Sequence, residues 1–276
     1  MKILVLGSGL MGPAAAYNAL QDPKVMQVTL ADMHYGQLEL AESKLREMPG
    51  FARLALQTVD LQQWTLTTRL MAEHDVIIAA LPTHIIAPAL RAAMAMRRPW
   101  IDLTWPAQNQ LDALAQQATD AGVLVIPGCG VEPGLTEIMA RHLAEQLERV
   151  DELHIKCGGI PTAPAPPLGY KIVFGGRRLP LRPYDAYAVQ EGELVAVPRY
   201  SGVERLTFEG VGEVEAWHEG FVPWLLELDS LRGLKTGSQK TIRWPGFAAK
   251  VAVLKELGLL SDDPVDVDGV QVSPKR

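Results

Sequence analysis

The sequence predicts an α/β fold: a doubly wound parallel sheet followed by a second α+β domain of mostly antiparallel strands. Three observations predict it. Apolar strand-like runs alternate with helix-like segments over residues 2–126. A glycine-spaced turn, GSGLMG at 7–12, joins the first strand to the first helix. After a loop rich in glycine and proline (PGCGVEPG, 127–134), the pattern changes to short strands punctuated by Gly or Pro.

Residues 2–6 are an apolar, branched run suited to a buried parallel strand. Gly7, Gly9 and Gly12 follow in G-x-G-x-x-G spacing, with Leu10 and Met11 between them, and residues 14–20 read as helix. A Rossmann dinucleotide-binding unit requires that order: Gly7 for the tight turn, Gly9 for the approach of a pyrophosphate, Gly12 for close helix–strand packing. The helix N-terminus offers N–H groups and partial positive charge to the phosphates. Pro13 fits the first turn, where its missing N–H costs nothing. Residues 25–31 form a second strand, and Asp32 closes it twenty residues after Gly12. A carboxylate there accepts hydrogen bonds from both hydroxyls of the adenine ribose and repels a 2′-phosphate. No Arg or Lys lies between Asp32 and Lys44 to offset that repulsion, so NAD is expected over NADP. The alternative is a structural glycine turn with Asp32 as a surface loop residue.

The alternation continues with a helix at 37–48 stopped by Pro49 and Gly50, a strand at 53–59 closed by Asp60, and a helix at 66–73. A strand at 75–81 (DVIIAAL), broken by Pro82, precedes a helix at 85–96, a strand at 100–103, a helix at 111–121 and a strand at 123–126. Ligands of such sheets sit outside the carboxyl ends of the strands. That rule selects Ala80, Leu81 and Pro82 as neighbours of the cofactor's central or nicotinamide portion, and Asp60 as a neighbour of the adenine. For Asp60, a turn or capping acid is an equal alternative. The domains are divided as 1–130, dinucleotide-binding, and 131–276, substrate-binding and dimerising. In the second, residues 135–147 read as an amphipathic helix. ELHIKCGG, YKIVF, AYAVQ, ELVAV, RLTFEG and EVEAW read as strands, and 247–257 as a helix closed by Gly258. The polar tail SDDPVDVDGVQVSPKR either pairs as an edge or remains loose.

The 276 residues are 48% hydrophobic, enough for a sizeable core, and the net charge of −6 gives no general attraction to nucleic acid or anionic membrane. No apolar stretch reaches the length of a membrane span, and Met1 leads directly into the first strand, so a cytoplasmic protein without a signal peptide is expected. Two cysteines, Cys129 and Cys157, make no disulfide framework. The six histidines are scattered with no metal-ligand spacing, so no metal is expected.

Together these residues resemble the saccharopine dehydrogenase family, and within it most closely L-lysine 6-dehydrogenases. The resemblance runs from Met1 to about Gly258. It rests on GSGLMG at 7–12, DVIIAALP at 75–82, VIPGCGVEPGLTEIMA at 125–140, CGGIP at 157–161, PPLGYKIVF at 166–174 and KTIRWPGF at 240–247. It implies a Rossmann domain with an α+β substrate domain, NAD(P)-dependent oxidation at a carbon–nitrogen bond of lysine or saccharopine-type amino acids, and homodimers. Two departures stand out: such proteins usually continue well beyond SPKR, and GGRRLPLRPYDAY replaces an acidic, serine-containing sequence after YKIVF.

An amino-acid substrate supplies a carboxylate, which calls for a bidentate Arg. Arg243 in TIRWPG is the first choice for that anchor, against a surface ion pair. Lys171 is a proton acceptor if it is buried beside the cofactor, where desolvation lowers its pKa; otherwise it snorkels from a sheet edge. Tyr170 supplies a hydroxyl at the same mouth or is a packed strand aromatic. Glu132 binds the distal amino group or acts as base, or else is a first-turn acid favoured by the helix dipole. Asp102 faces the cleft or caps the following helix, Cys129 is a small packed residue, and the acidic run from Glu204 to Glu219 is a solvated sheet face. The leading expectation is oxidative deamination of the lysine side chain with hydride passing to NAD. Alternatives are a saccharopine reductase, with Arg177, Arg178 or Arg182 as extra anchors, a polyamine-synthesis reductase, and a non-catalytic NAD-binding protein.

Overall fold

The structure is a computed structural model that describes residues 1–106, 108–171 and 179–275. It divides into two compact units, Met1–Leu135 and Thr136–Arg276. The division falls five residues beyond the expected boundary because the PGCGVEPG loop is held by the first unit. Gly128 N–H donates to the Thr104 carbonyl (2.8 Å) and Cys129 N–H to that of Asp102 (2.8 Å).

The first unit is a six-stranded parallel sheet in the order β3-β2-β1-β4-β5-β6. Its strands are β1 (Lys2–Leu6), β2 (Gln27–Asp32), β3 (Leu54–Thr58), β4 (Val76–Ala79), β5 (Trp100–Asp102) and β6 (Val125–Ile126). Helices α1 (Gly12–Gln21), α2 (Tyr35–Leu45), α3 (Trp64–Ala72), α4 (Thr83–Ala95) and α5 (Gln108–Ala121) connect them. This is the doubly wound order, with the switch between β1 and β4. Side chains alternate along β1: Leu4 and Leu6 pack with Met71, Ile77 and Trp100, whereas Ile3 and Val5 pack with Ala16, Leu20, Val28 and Leu38 on the other face. Burial on both faces explains why these strands are continuous apolar runs.

In the second unit, α6 (Leu135–Ala144) is followed by β7 (Glu152–Cys157), β8 (Ala186–Gln190), β9 (Glu193–Val197), β10 (Glu204–Phe208), β11 (Gly212–His218) and β12 (Thr236–Arg243). The sheet runs β10-β11-β12-β8-β9, with β7 pairing parallel to β12 and the other pairs antiparallel. One cluster beneath it joins Ala140 and Ala144 to Ile155, Val189, Phe221 and Leu225. A second joins Tyr170, Tyr200 and Trp217 to Phe247 and Val251 of α7 (Phe247–Glu256). The expected strand over YKIVF falls mostly outside the described residues, and Tyr170 and Lys171 belong to no strand.

Three sequence expectations need correction here. The pairing hub, β12, was not among the expected strands, because TGSQK is polar. Its Ser238, Gln239, Lys240 and Thr241 are nevertheless buried. They are buried with partners: Ser238 with His154 (2.8 Å), Gln239 with Glu137 (2.5 Å), and Lys240 with the Gly202 carbonyl (2.7 Å) and Glu204. The acidic run is not simply a solvated face either, since Glu215 is only 2% exposed and Glu219 binds Arg182 and Arg199. The polar tail pairs with itself, Val265–Val267 against Val270–Val272. No helix among the described residues is long and apolar enough to cross a membrane.

Candidate active site

The glycine loop has the geometry that a phosphate cradle requires. Gly7 adopts φ +91°, and its N–H donates to the Ala31 carbonyl (2.8 Å). A Cβ on Gly7 would lie 2.4 Å from the Ala80 oxygen, and one on Gly12 would lie 1.7 Å from the Gly7 oxygen. Both glycines are demanded by the protein's own packing. Gly9 differs: a Cβ there would meet nothing within 4 Å, so the outer face of the loop is open. Met11, at the N-cap of α1, makes no side-chain capping bond, and Leu10 and Met11 are both exposed beside the helix end. An open backbone at an uncapped helix N-terminus fits a pyrophosphate.

Asp32 stands at the end of β2, half-buried. Its Oδ2 accepts from Ser8 N–H (2.7 Å) and its Oδ1 from His34 N–H (2.8 Å). The carboxylate thus ties the glycine loop to the turn after β2, and each oxygen keeps a lone pair for a further donor. Asp60 makes an Asx turn, accepting from Gln62 N–H (3.0 Å) as the chain enters α3. At β4, Ala80 N–H donates to Leu6 O (2.8 Å), Leu81 packs against the core, and Pro82 is the N-cap of α4. Asp102 is 3% exposed and takes hydrogen bonds from Trp100 Nε1 (3.2 Å) and from Thr104 N–H (2.7 Å) and Oγ (2.8 Å). It is a turn acid rather than a cleft acid. Cys129 is exposed rather than packed as expected, and partial desolvation, then Asp102, push its thiol up, away from the range of a reactive thiolate.

Glu132 lies three residues before α6, at a cis peptide bond with Pro133 and half-buried. The expected placement in the first helical turn does not hold: the acid there is Glu137, 1% exposed, which accepts from Gln239 Nε2 and from Thr136 Oγ (3.0 Å).

In the second unit, three of the short motifs singled out above converge on Arg243. A Cβ on Gly158 would lie 2.3 Å from Ile242 O, and Trp244 Nε1 donates to Pro161 O (2.9 Å), so CGGIP lies against the end of β12. From PPLGYK, Gly169 packs against Trp244, and Pro167 O accepts from Lys250 (2.7 Å). The half-buried Arg243 lies over the Tyr170 ring, its guanidinium carbon 4.4 Å from that centroid and 5.9 Å from the Phe247 centroid. Its Nη1 donates to Ile242 O (2.8 Å) and Gly159 O (3.3 Å). The ring of Tyr170, 6% exposed, supports the cation edge-on to Phe247 (5.8 Å, 74°), and its hydroxyl is buried with no partner among the described residues rather than displayed at a mouth. Lys171 is exposed, so the burial that its role as a desolvated base requires is absent. Arg182 is engaged by Glu219 (2.7 Å), while Arg177 and Arg178 lie outside the described residues.

Sequence reasoning missed Glu215 and Glu137. Both carboxylates bond to partners remote in the chain, Glu215 to residues 31 and 33 positions away and Glu137 to one 102 away. No local pattern signals them.

Comparison with known proteins agrees with the two-unit fold. Residues 3–126 match the saccharopine dehydrogenase NADP binding domain, and residues 130–273 match the saccharopine dehydrogenase C-terminal domain. The chain belongs to the saccharopine dehydrogenase family. Saccharopine dehydrogenase [NADP(+), L-glutamate-forming] of Pyricularia oryzae is 25% identical over 281 residues, covering 95% of this chain and 58% of that protein. Carboxynorspermidine synthase of Vibrio alginolyticus is 22% identical over 308 residues, covering 99% and 70%. Among solved structures, the apo saccharopine dehydrogenase (L-Glu forming) of Saccharomyces cerevisiae superposes with a TM-score of 0.72 at 18% identity, over 96% of this chain and 60% of that one, and so shares the fold. The chain spans about 58% of the length of the Pyricularia relative.

Proposed function

We propose that the chain is an oxidoreductase that uses a nicotinamide dinucleotide to oxidise a carbon–nitrogen bond of an amino acid, with the side-chain amine of L-lysine as its substrate. The carrying observation is Arg243, fixed on an aromatic floor where CGGIP, PPLGYK and TIRWPG meet. A planar guanidinium held by stacking offers the paired N–H groups that a carboxylate takes. In this reading Gly9, Leu10, Met11 and Gly12 hold the pyrophosphate, Asp32 the adenine ribose, Asp60 borders the adenine, and Ala80, Leu81 and Pro82 border the nicotinamide side. The dinucleotide, when bound, supplies the hydride acceptor. Arg243 takes the substrate carboxylate, Tyr170 holds Arg243 in place, and Glu132 is the candidate to accept the amine proton.

Two readings of the cofactor each have support. No Arg or Lys lies between Asp32 and Lys44, which favours NAD, since a 2′-phosphate would face the Asp32 carboxylate. The matched domain's name and that of the Pyricularia relative specify NADP. Likewise, saccharopine is favoured as substrate by that relative's name. We also propose that the protein is a homodimer, for α6 leaves Ile138, Met139 and Leu143 exposed on one side.

The test is absorbance of the reduced nicotinamide with L-lysine and with L-saccharopine, each against NAD and NADP. Turnover of lysine with NAD is the expected result. Turnover of saccharopine alone would replace the substrate, and turnover with NADP alone would overturn the role given to Asp32. Dinucleotide binding with neither substrate turned over would overturn the proposed reaction.

A further inference from the structure

We infer that Glu215 is the positioning residue of the carboxylate anchor, acting on the substrate through Arg243 and Phe247 without touching it; the inference rests on the proposed role of Arg243. Glu215 lies on β11 directly across from Arg243 on β12, in antiparallel register and hence on the same face of the sheet. It is only 2% exposed, an unusual setting for a carboxylate. Its two oxygens are used separately, Oε2 accepting from Gly246 N–H (2.8 Å) and Oε1 from Ala248 N–H (2.7 Å). These donors open α7, whose N-cap is Gly246, a residue at φ +88° with no side chain of its own to cap with. A remote acid therefore performs the capping that a local Ser, Thr or Asp would normally perform.

The consequence for Arg243 is geometric. Only Trp244, Pro245 and Gly246 separate the arginine from Phe247, whose ring is one wall of its seat. Fixing the backbone at Gly246 and Ala248 fixes that ring, which also stacks on Trp217 (5.7 Å, 5°) and meets Tyr170 edge-on. Glu215 also neutralises the positive end of α7. A substrate carboxylate arriving beside Phe247 thus finds Arg243 as the cation and the helix end already occupied. Register, segment length and hydrogen bonding all make Glu215 the group that sets where the guanidinium stands.

The experiment is a double-mutant cycle of E215Q and R243Q on the full chain, read with L-lysine and with the diamine of the same length that lacks the carboxylate. A glutamine keeps the reach but presents one acceptor and one N–H₂, so one backbone bond is replaced by a donor facing a donor. We expect E215Q to raise the KM for lysine by about tenfold, the scale of one charge-assisted hydrogen bond to substrate, with kcat, the dinucleotide KM and diamine oxidation nearly unchanged. In the R243Q background E215Q should add almost nothing, because both act through one contact. If R243Q itself leaves the lysine KM unchanged, the carboxylate-anchor reading is wrong. If R243Q raises it while E215Q has no effect, adds its full effect in that background, or impairs the diamine equally, Arg243 stands and the positioning role falls. Should E215Q not fold, E215D, which keeps the charge and loses the reach, enters the same cycle with the same deciding outcomes.

Discussion

At the scale of single residues, the glycine loop separates what folding needs from what binding needs. Gly12→Ala forces a Cβ into the Gly7 carbonyl, a collision with backbone that no rotamer relieves. It should destabilise the first unit by about 1–3 kcal/mol, the usual cost of overpacking, seen as a lowered Tm. Gly9→Ala meets open space, so the fold and Tm should be preserved. Dinucleotide titration should nevertheless show a large loss of affinity, because the methyl group would stand where the proposed pyrophosphate comes. A Gly9→Ala protein binding the dinucleotide normally would remove the loop from the site. The packing demands at Gly7 and Gly12 were legible in the sequence because spacing along one turn encodes them. Asp60 and Asp102 were legible only as alternatives, and the structure shows an Asx turn and a buried turn acid. Glu215 was not legible, because its burial depends on the pairing of β11 with β12 and on the return of the chain into α7.

At the scale of elements, β12 shows why a polar strand can form the middle of a sheet. Ser238, Gln239 and Lys240 each arrive at a partner from elsewhere in the chain, so burial does not leave them unmet. Glu137→Ala removes the acceptor for Gln239 Nε2 between α6 and β12, and should cost about 1–3 kcal/mol in chemical denaturation of the second unit. The other face of this strand carries a titrating pair. Burial raises the pKa of Glu204, but hydrogen bonding and charge from Lys240 and Lys156 outweigh it, holding the carboxyl below its ordinary value of 4.5. Burial, then Lys240, push the His218 imidazole below its ordinary 6.5. In both cases the unfolded chain takes up protons first as the pH falls, so stability present above the ordinary value drains away in acid. Tm should therefore decline below about pH 6.5 through His218 and again below about 4.5 through Glu204. His218→Gln should flatten the first decline and leave the second. A Tm that is flat between pH 7 and 5 in the native protein would contradict the assignment. Among the described residues, the strands of the second unit with alternating apolar residues were legible, apart from YKIVF, which falls mostly outside those residues; TGSQK was not legible, because satisfaction by distant partners has no period.

At the scale of the whole molecule, the two units differ in how much of their purpose local pattern encodes. A parallel sheet buried on both faces writes itself as apolar runs, and its ligand edge follows from strand order, so the dinucleotide half was readable from its first dozen residues. The second unit draws its distinctive chemistry from residues 158–170 and 240–250, which come together around Arg243 only after the sheet closes. Its surface carries a further consequence. On α6 the residues turned inward are Ala140, Ala144 and Glu137, whereas Ile138, Met139 and Leu143 stay exposed, Met139 and Leu143 four apart, with Leu147 four residues further on, past the helix end. Met139 and Leu143 leave an apolar stripe, with the Arg141–Glu145 ion pair (2.7 Å) on the far side of the helix. In a two-fold antiparallel pairing centred on Leu143, Met139 would face Leu147 of the second copy, so the apolar residues are self-complementary. Sedimentation equilibrium of the full chain should give a dimer. Leu143→Asp, which places two like charges at the dyad, should weaken that dimer at least about a hundredfold, a loss of roughly 3 kcal/mol or more, without lowering the affinity for dinucleotide. A native protein that sediments as a monomer at every concentration would leave the stripe without a second copy and the homodimer without support.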